Sequence, residues 1–149
     1  LLNNISTNES VVYAQSLDSL ILMNNYNITL NMKGKLLLLD TLDNSFDSII
    51  QKLNILDATY SLHDVEGIIF TSFNERTDKK TITLDLQNKD KISKFLENTS
   101  KIVHMDKLYY GFPMGHCKYK LTIPLGIKAK FDHMSGNLLY TESPFEKQR

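Results

Sequence analysis

The side chains able to do chemistry fall into three groups, and the spacing of each limits what it can do. Soft ligands gather late in the chain as His104-Met105, Met114 with His116-Cys117, and His133-Met134. Thioether, thiolate and imidazole together suit Cu(I), so a small metal-binding protein is one reading. Against it, adjacent strand residues point to opposite faces, and His116 and Cys117 cannot both ligate without a bulge. No CxxC, HExxH or H-x3-H spacing is present, so neither a metal nor another cofactor is expected. The second group is the carboxylates Asp40, Asp43 and Asp47, at a strand-to-helix junction where acids more often cap helices than move protons. Cys117 with His104 or His133 offers a thiol–imidazole pair that nothing in the spacing selects. With no G-x-S-x-G elbow, Walker loop or G-x-G-x-x-G, the sequence predicts no catalytic residue and no enzyme.

The third group is suited to recognition. The run LYYGFPMG, from Leu108 to Gly115, sets three aromatics among two glycines and a proline. It reads as a shaped loop able to stack on a sugar, a peptide or a partner surface, or as a crossover whose rings close the core. Tyr109, Tyr110, Phe112 and Met114 are its candidate contact residues. Close by, Lys118, Lys120, Lys128 and Lys130 alternate along two predicted strands and are expected to share one face. Four ammonium groups on such a ladder suit a polyanion, although lysine on an exposed strand also prevents edge-to-edge association. No arginine or aromatic interleaves there, which weighs against nucleic acid.

These groups must be positioned by a chain of 149 residues whose 17 basic and 17 acidic side chains balance. The balance is uneven along its length: residues 1–74 hold three lysines against eight acids, and residues 75–149 fourteen bases against nine acids. One cysteine excludes an internal disulfide framework and any Cys-cluster site. No apolar run approaches the roughly 20 residues that span a bilayer. The chain starts at Leu1, which suggests processing or truncation and leaves room for a membrane tether upstream. Thirteen asparagines produce four N-x-S/T triplets, at Asn4, Asn8, Asn27 and Asn98, which a composition rich in Asn, Ser and Thr generates by chance. The Asn, Lys and Ile content suggests an AT-rich bacterial genome.

Residues 1–24 read as a polar N-terminal segment with a short helix over 11–23 capped by Ser10, the Val11-Val12 pair leaving a strand as the alternative. Residues 25–149 read as a single α+β domain with halves at about 25–64 and 65–149. Tyr26, Ile28, Leu30 and Met32 alternate with polar residues and predict a strand, turned at Lys33-Gly34 into a second, Leu36 to Leu39, apolar on both faces and hence central. Phe46, Ile49, Ile50, Leu53 and Leu56 then form the stripe of a helix over 44–56, with Asn44 as N-cap. The order recurs as strands at 65–73 and 80–86 and a helix over 88–98, compatible with a ββα duplication. The last third predicts strands at 116–125, 127–131 and 137–142. The expected fold is α+β, a mainly antiparallel sheet of six to eight strands with two principal helices on one face.

A β-meander ending in Tyr140 and Ser143-Pro144-Phe145, after a strand–strand–helix unit, resembles small extracytoplasmic domains of bacterial lipoproteins and membrane sensors; the likeness carries no functional residue. The functional expectation is a non-catalytic extracytoplasmic binding or sensing domain, secreted or membrane-anchored, that meets a protein or an anionic envelope polymer through the aromatic loop and the lysines. The alternatives are a cytoplasmic immunity or inhibitor-type protein with one protein partner, and the small metal-binding protein.

Overall fold

A computed structural model describes residues 9–42, 44–71, 73–76, 81–84, 88–115 and 120–145. Its elements in chain order are β1 (Ser10–Ser16), α1 (Leu17–Asn25), β2 (Lys35–Asp40), α2 (Phe46–Tyr60), β3 (Gly67–Phe70), β4 (Phe73–Arg76), β5 (Thr81–Leu84), α3 (Lys89–Val103), β6 (Leu108–Tyr110), β7 (Lys128–Phe131) and β8 (Leu138–Tyr140). Six strands form one sheet in the order β6-β3-β2-β1-β7-β8, and β4 and β5 form a separate antiparallel ribbon. The pairs β1–β2, β2–β3 and β3–β6 are parallel, whereas β1–β7 and β7–β8 are antiparallel.

The expected antiparallel α+β sheet is therefore replaced by a mixed, mostly parallel one with three α-helices among the described residues. The difference begins at the N-terminus. Val11-Val12 belong to a strand, and the first helix starts six residues later than predicted, capped by Ser16 through its hydroxyl accepting from Ser19 N at 3.1 Å. Residues 26–34 then form turns and irregular chain with Tyr26 and Ile28 exposed, so the alternation there marks no strand. β2 pairs in parallel with β1 instead of folding back on 26–32. Leu36 to Leu39 are all essentially inaccessible, as befits a strand covered on both faces by a parallel arrangement. The supposed ββα repeat is a succession of βαβ crossovers, β1-α1-β2, β2-α2-β3 and, after the β4–β5 ribbon, β3-α3-β6.

Because β1, β2, β3 and β6 follow one another in a single direction across the sheet, their crossovers all lie on the same side. That face carries Leu37, Leu39, Ile68 and Phe70 and packs on Leu17 and Leu20 of α1, Ile49 and Leu53 of α2, and Ile92 and Phe95 of α3. Ser45, not Asn44, caps α2; Asn44 is buried and binds Asp18, Ser48 and Lys52 instead. The other face carries Val12, Leu36, Leu38, Ile69, Ala129 and Phe131, with Tyr109, Phe112, Met114 and Ile123 packed on it. Ring centroids of Tyr109 on β6 and Phe131 on β7 lie 4.9 Å apart although three strands separate them in the sheet. The sheet thus curls into a half-barrel around this helix-free face.

Candidate active site

In a parallel sheet the carboxyl ends of the strands, with the loops that leave them, are where side chains converge on a ligand. The register places Asp40 at the end of β2 beside Ser16 at the end of β1. One residue beyond the paired Leu39 and Phe70, Asp40 stands beside Thr71, and Thr71 N donates to Leu39 O at 3.0 Å, extending the ladder. Gly111 continues it on the far side, its N–H donating to Phe70 O at 3.0 Å. Adjacent strands are about 4.8 Å apart, so Asp40 and Thr71 are immediate neighbours.

Strand alternation decides which way they point. Leu36 and Leu38 face the half-barrel interior, so Asp40 does too; Ile69 faces it, so Thr71 follows. Both are buried, Asp40 at 8% exposure and Thr71 at 3%. Asp40 Oδ1 accepts from Leu42 N at 3.2 Å, a local turn bond that fixes the carboxylate. The loop that leaves β6 comes back over it. Gly115 sits so close that a Cβ there would lie 2.6 Å from Asp40 Oδ2 and 3.3 Å from Thr71 Oγ1, and its φ is +77°. Only glycine lets the backbone approach a carboxylate in this way. Thr71 Oγ1 is fully buried and, among the described residues, has no hydrogen-bond partner. A native hydroxyl left so is costly unless something else meets it.

The buried carboxylate, the hydroxyl without a partner among the described residues and the glycine-lined backbone make a constellation able to orient a basic side chain and a polar substrate group. His116 is the next residue in the chain after Gly115 and lies outside the described residues. The sequence holds the signal for this site as an acid that ends a wholly apolar strand, KLLLLD, and a Gly-His step in the aromatic loop. Reading Asp40 as a capping acid missed it. Asp40 does serve its own turn with one oxygen, but the other faces the loop. Asp43 lies outside the described residues, and Asp47 is exposed in the first turn of α2.

The predicted recognition residues are distributed differently. Tyr109 lies on the half-barrel face; its hydroxyl shares a hydrogen bond with His133 Nδ1, and His133 Nε2 is 3.5 Å from Glu66, which also pairs with Lys107 at 3.2 Å. Burial, and then the negative charge of Glu66, pushes the Tyr109 hydroxyl above its ordinary pKa. Tyr110 points to the opposite face and stacks on Phe73 at 4.8 Å. Phe112 and Met114 are half-buried against the half-barrel core.

Among the lysines, Lys118 lies outside the described residues and Lys120 is exposed in a segment without strand structure. Lys128 and Lys130 alternate on β7, and Lys128 pairs with Glu9 and Glu142 at 3.7 Å each. Of the soft ligands, Met114 packs in the core, His104 ends α3 in a left-handed conformation and His133 is held by Tyr109, with His116 and Cys117 outside the described residues. No group of three His, Cys, Asp or Glu residues that could hold a metal occurs among the described residues. No described helix is long and apolar enough to cross a membrane.

Comparison with known proteins gives the arrangement its context. Residues 9–131 match the family described as Peptidase_S66C, the LD-carboxypeptidase C-terminal domain. No curated protein sequence matches the chain. Among solved structures, muramoyltetrapeptide carboxypeptidase from Oxalobacter formigenes superposes with a TM-score of 0.69 at 18% identity, covering 91% of this chain and 46% of that one. MccF in complex with glutamyl sulfamoyl guanosine gives 0.68 at 19%, covering 93% and 39%. The Microcin C7 self immunity protein MccF as an active-site mutant, with a serine, an asparagine and a lysine changed to alanine, gives the same values. The chain spans less than half the length of these structures, and what it shares with them is the Rossmann-like fold. The family match overturns the expectation of a purely non-catalytic binding or sensing module, and with it the expectation that the chain is no part of an enzyme.

Proposed function

The chain belongs to the LD-carboxypeptidase C-terminal domain family, and on that premise we propose that it supplies the carboxylate side of a peptidase active site that hydrolyses the C-terminal bond of a short peptide. The supporting observation is the buried Asp40 carboxylate at the parallel-strand ends, pressed against Gly115 and beside the Thr71 hydroxyl, which has no partner among the described residues. In hydrolysis by a hydroxyl nucleophile, an imidazole takes the hydroxyl proton as it attacks the carbonyl carbon and returns it to the departing amine. A buried carboxylate holds that imidazole in the productive tautomer and stabilises its cation. We assign the carboxylate role to Asp40 and the imidazole role to His116, the residue that follows Gly115.

The attacking group belongs to the portion of the enzyme that this chain does not span. Serine is the favoured type, since an active-site serine is named for MccF. Thr71 is suited to receive a polar group of the bound peptide, which would satisfy its oxygen.

The test is to incubate the full-length protein with N-acetylmuramoyl tetrapeptide and with the free tetrapeptide, and to follow both by mass spectrometry. Loss of one C-terminal residue from either, abolished by His116→Gln, is the expected result. Intact peptides after prolonged incubation, or cleavage that His116→Gln leaves unaffected, would overturn the proposal.

A further inference from the structure

Asn44 follows Asp40 by four positions and is buried, at 5% exposure. Helix α2 does not need it as a cap, because the Ser45 hydroxyl already accepts from Ser48 N at 3.2 Å. Its amide is nevertheless used to capacity. Nδ2 donates to Leu42 O at 3.0 Å and to Asp18 Oδ2 at 3.2 Å, while Oδ1 accepts from the Ser48 hydroxyl at 3.0 Å and from Lys52. Two donors and two lone pairs are all that a primary amide has. We propose that Asn44 is a positioning residue for the Asp40 carboxylate, acting through the main chain of Leu42. The inference rests on the peptidase reading above and adds to it the part that holds the acid in place.

Three observations carry it. The first is connectivity. Leu42 N donates to Asp40 Oδ1 at 3.2 Å, and that N–H belongs to the Thr41–Leu42 peptide unit. The carbonyl of the same unit, Thr41 O, accepts from Asn44 N at 3.1 Å. A peptide unit is a rigid plane, so a carbonyl held on one side sets the N–H on the other. The Nδ2 bond to Leu42 O holds the next carbonyl as well and removes the rotation left at Leu42.

The second observation is the anchor. Asp18 lies in the first turn of α1, just after Ser16, which pairs with Asp40 across β1 and β2. Ser48 and Lys52 follow Asn44 at intervals of four along α2 and so share its face, and Lys52 also pairs with Asp18. Asn44 thereby ties the exit of β2 to two helices that pack on the sheet through Leu17, Leu20, Ile49 and Leu53. The third observation is which oxygen is held. With Oδ1 on Leu42 N, it is Oδ2 that meets Gly115, on the side where His116 follows. A carboxylate free to turn would lose that aim, and misplacement by about 1 Å costs on the order of 10²-fold in rate.

The test uses variants of the full-length protein on N-acetylmuramoyl tetrapeptide, well below their melting temperatures. Asn44→Asp has nearly the native shape and keeps the acceptors for Ser48 and Lys52, but loses both Nδ2 donors. Asn44→Ala loses the whole amide. Each should lower kcat about tenfold or more, with KM within about twofold of the native value. In an Asp40→Asn background neither should lower kcat further, because no carboxylate is left to position. Activity lost in Asp40→Asn with kcat unchanged in both Asn44 variants overturns the inference and leaves the peptidase reading intact. A kcat loss that persists in full in the Asp40→Asn background overturns it too, since a purely structural role would act in that way.

Should the native chain cleave no peptide, the peptidase reading fails, and hydrogen exchange at the Leu42 amide decides the positioning by itself. Protection at Leu42 that falls about tenfold or more in Asn44→Asp supports it. A smaller change overturns it.

Discussion

Replacing Gly115 by alanine tests whether the loop after β6 truly presses on the Asp40 carboxylate. Two costs are expected. The residue has φ +77°, where a Cβ costs roughly 1–2 kcal/mol. The new methyl would also lie 2.6 Å from Asp40 Oδ2 and 2.9 Å from its Cγ, well inside van der Waals contact. Asp40 is rooted on a buried strand and tied to Leu42 N, so it cannot swing freely aside. Overpacking of this kind costs about 1–3 kcal/mol. Gly126 supplies the control, with φ +76° and nothing within 4 Å of an added Cβ. Gly126→Ala should therefore lose the conformational cost alone, and Gly115→Ala about 1–3 kcal/mol more.

Urea unfolding of both variants reads the difference directly, and thermal melting reads it as about 2–4 °C per kcal/mol for a protein of this size. A double-mutant cycle assigns the excess to its source. In an Asp40→Ala background the carboxylate is gone, and Gly115→Ala should cost no more than Gly126→Ala. Equal losses for the two glycine variants in the native background would refute the proposed contact, and so would an excess that survives removal of Asp40.

Three other outcomes are expected. Thr71→Val should leave stability unchanged or raise it by up to about 1 kcal/mol, since it removes a buried oxygen without a partner among the described residues, yet should lower kcat/KM about tenfold; a clear loss of stability would mean that the hydroxyl is satisfied in the free protein. Asn44→Ala should cost roughly 1–3 kcal/mol by urea unfolding, because it removes a buried amide and its part-buried bonds from the α2 entry to Asp18 and Ser48; a loss below about 0.5 kcal/mol would contradict this. The Tyr109 hydroxyl titrates above its ordinary value in the folded chain, so the neutral form's contribution is complete below about pH 10 and disappears as pH rises through the folded pKa. Accordingly, the melting-temperature advantage of the native chain over Tyr109→Phe should shrink as pH rises above about 10, and a constant difference would show that the group is not perturbed.

Much of the helical layer was legible in the sequence. The stripe of Phe46, Ile49, Leu53 and Leu56 forms α2, and Ile92 and Phe95 face inward from α3, because a 3.6-residue period of apolar side chains is a strong and local signal. Strand pairing was not legible, since it depends on residues far apart in sequence. Tyr26 to Met32 alternates as a strand would, but β1 takes the position beside β2, and the hairpin is left without a place in the sheet. The apolar run of Leu36 to Leu39 already carried the mark of a parallel, doubly covered strand, and its sequel was to expect helices between strands instead of hairpins.

For the site, the local pattern around Asp40 resembled a cap, and one carboxylate oxygen does serve its own turn. What the pattern could not show is that residue 115, seventy-five positions further on, returns to the other oxygen. The aromatic loop reads in the sequence as one recognition element, but its tyrosines separate onto two faces of the sheet, as adjacent strand residues must.

The claim on which the functional account depends is that the Asp40 carboxylate takes part in peptide hydrolysis, and Asp40→Asn tests it with almost no change of shape. The measurement is kcat/KM of the full-length variant on N-acetylmuramoyl tetrapeptide, paired with its melting temperature. A fall on the order of 10³-fold or more with the fold intact is the predicted result. Activity within about tenfold of the native chain would contradict it.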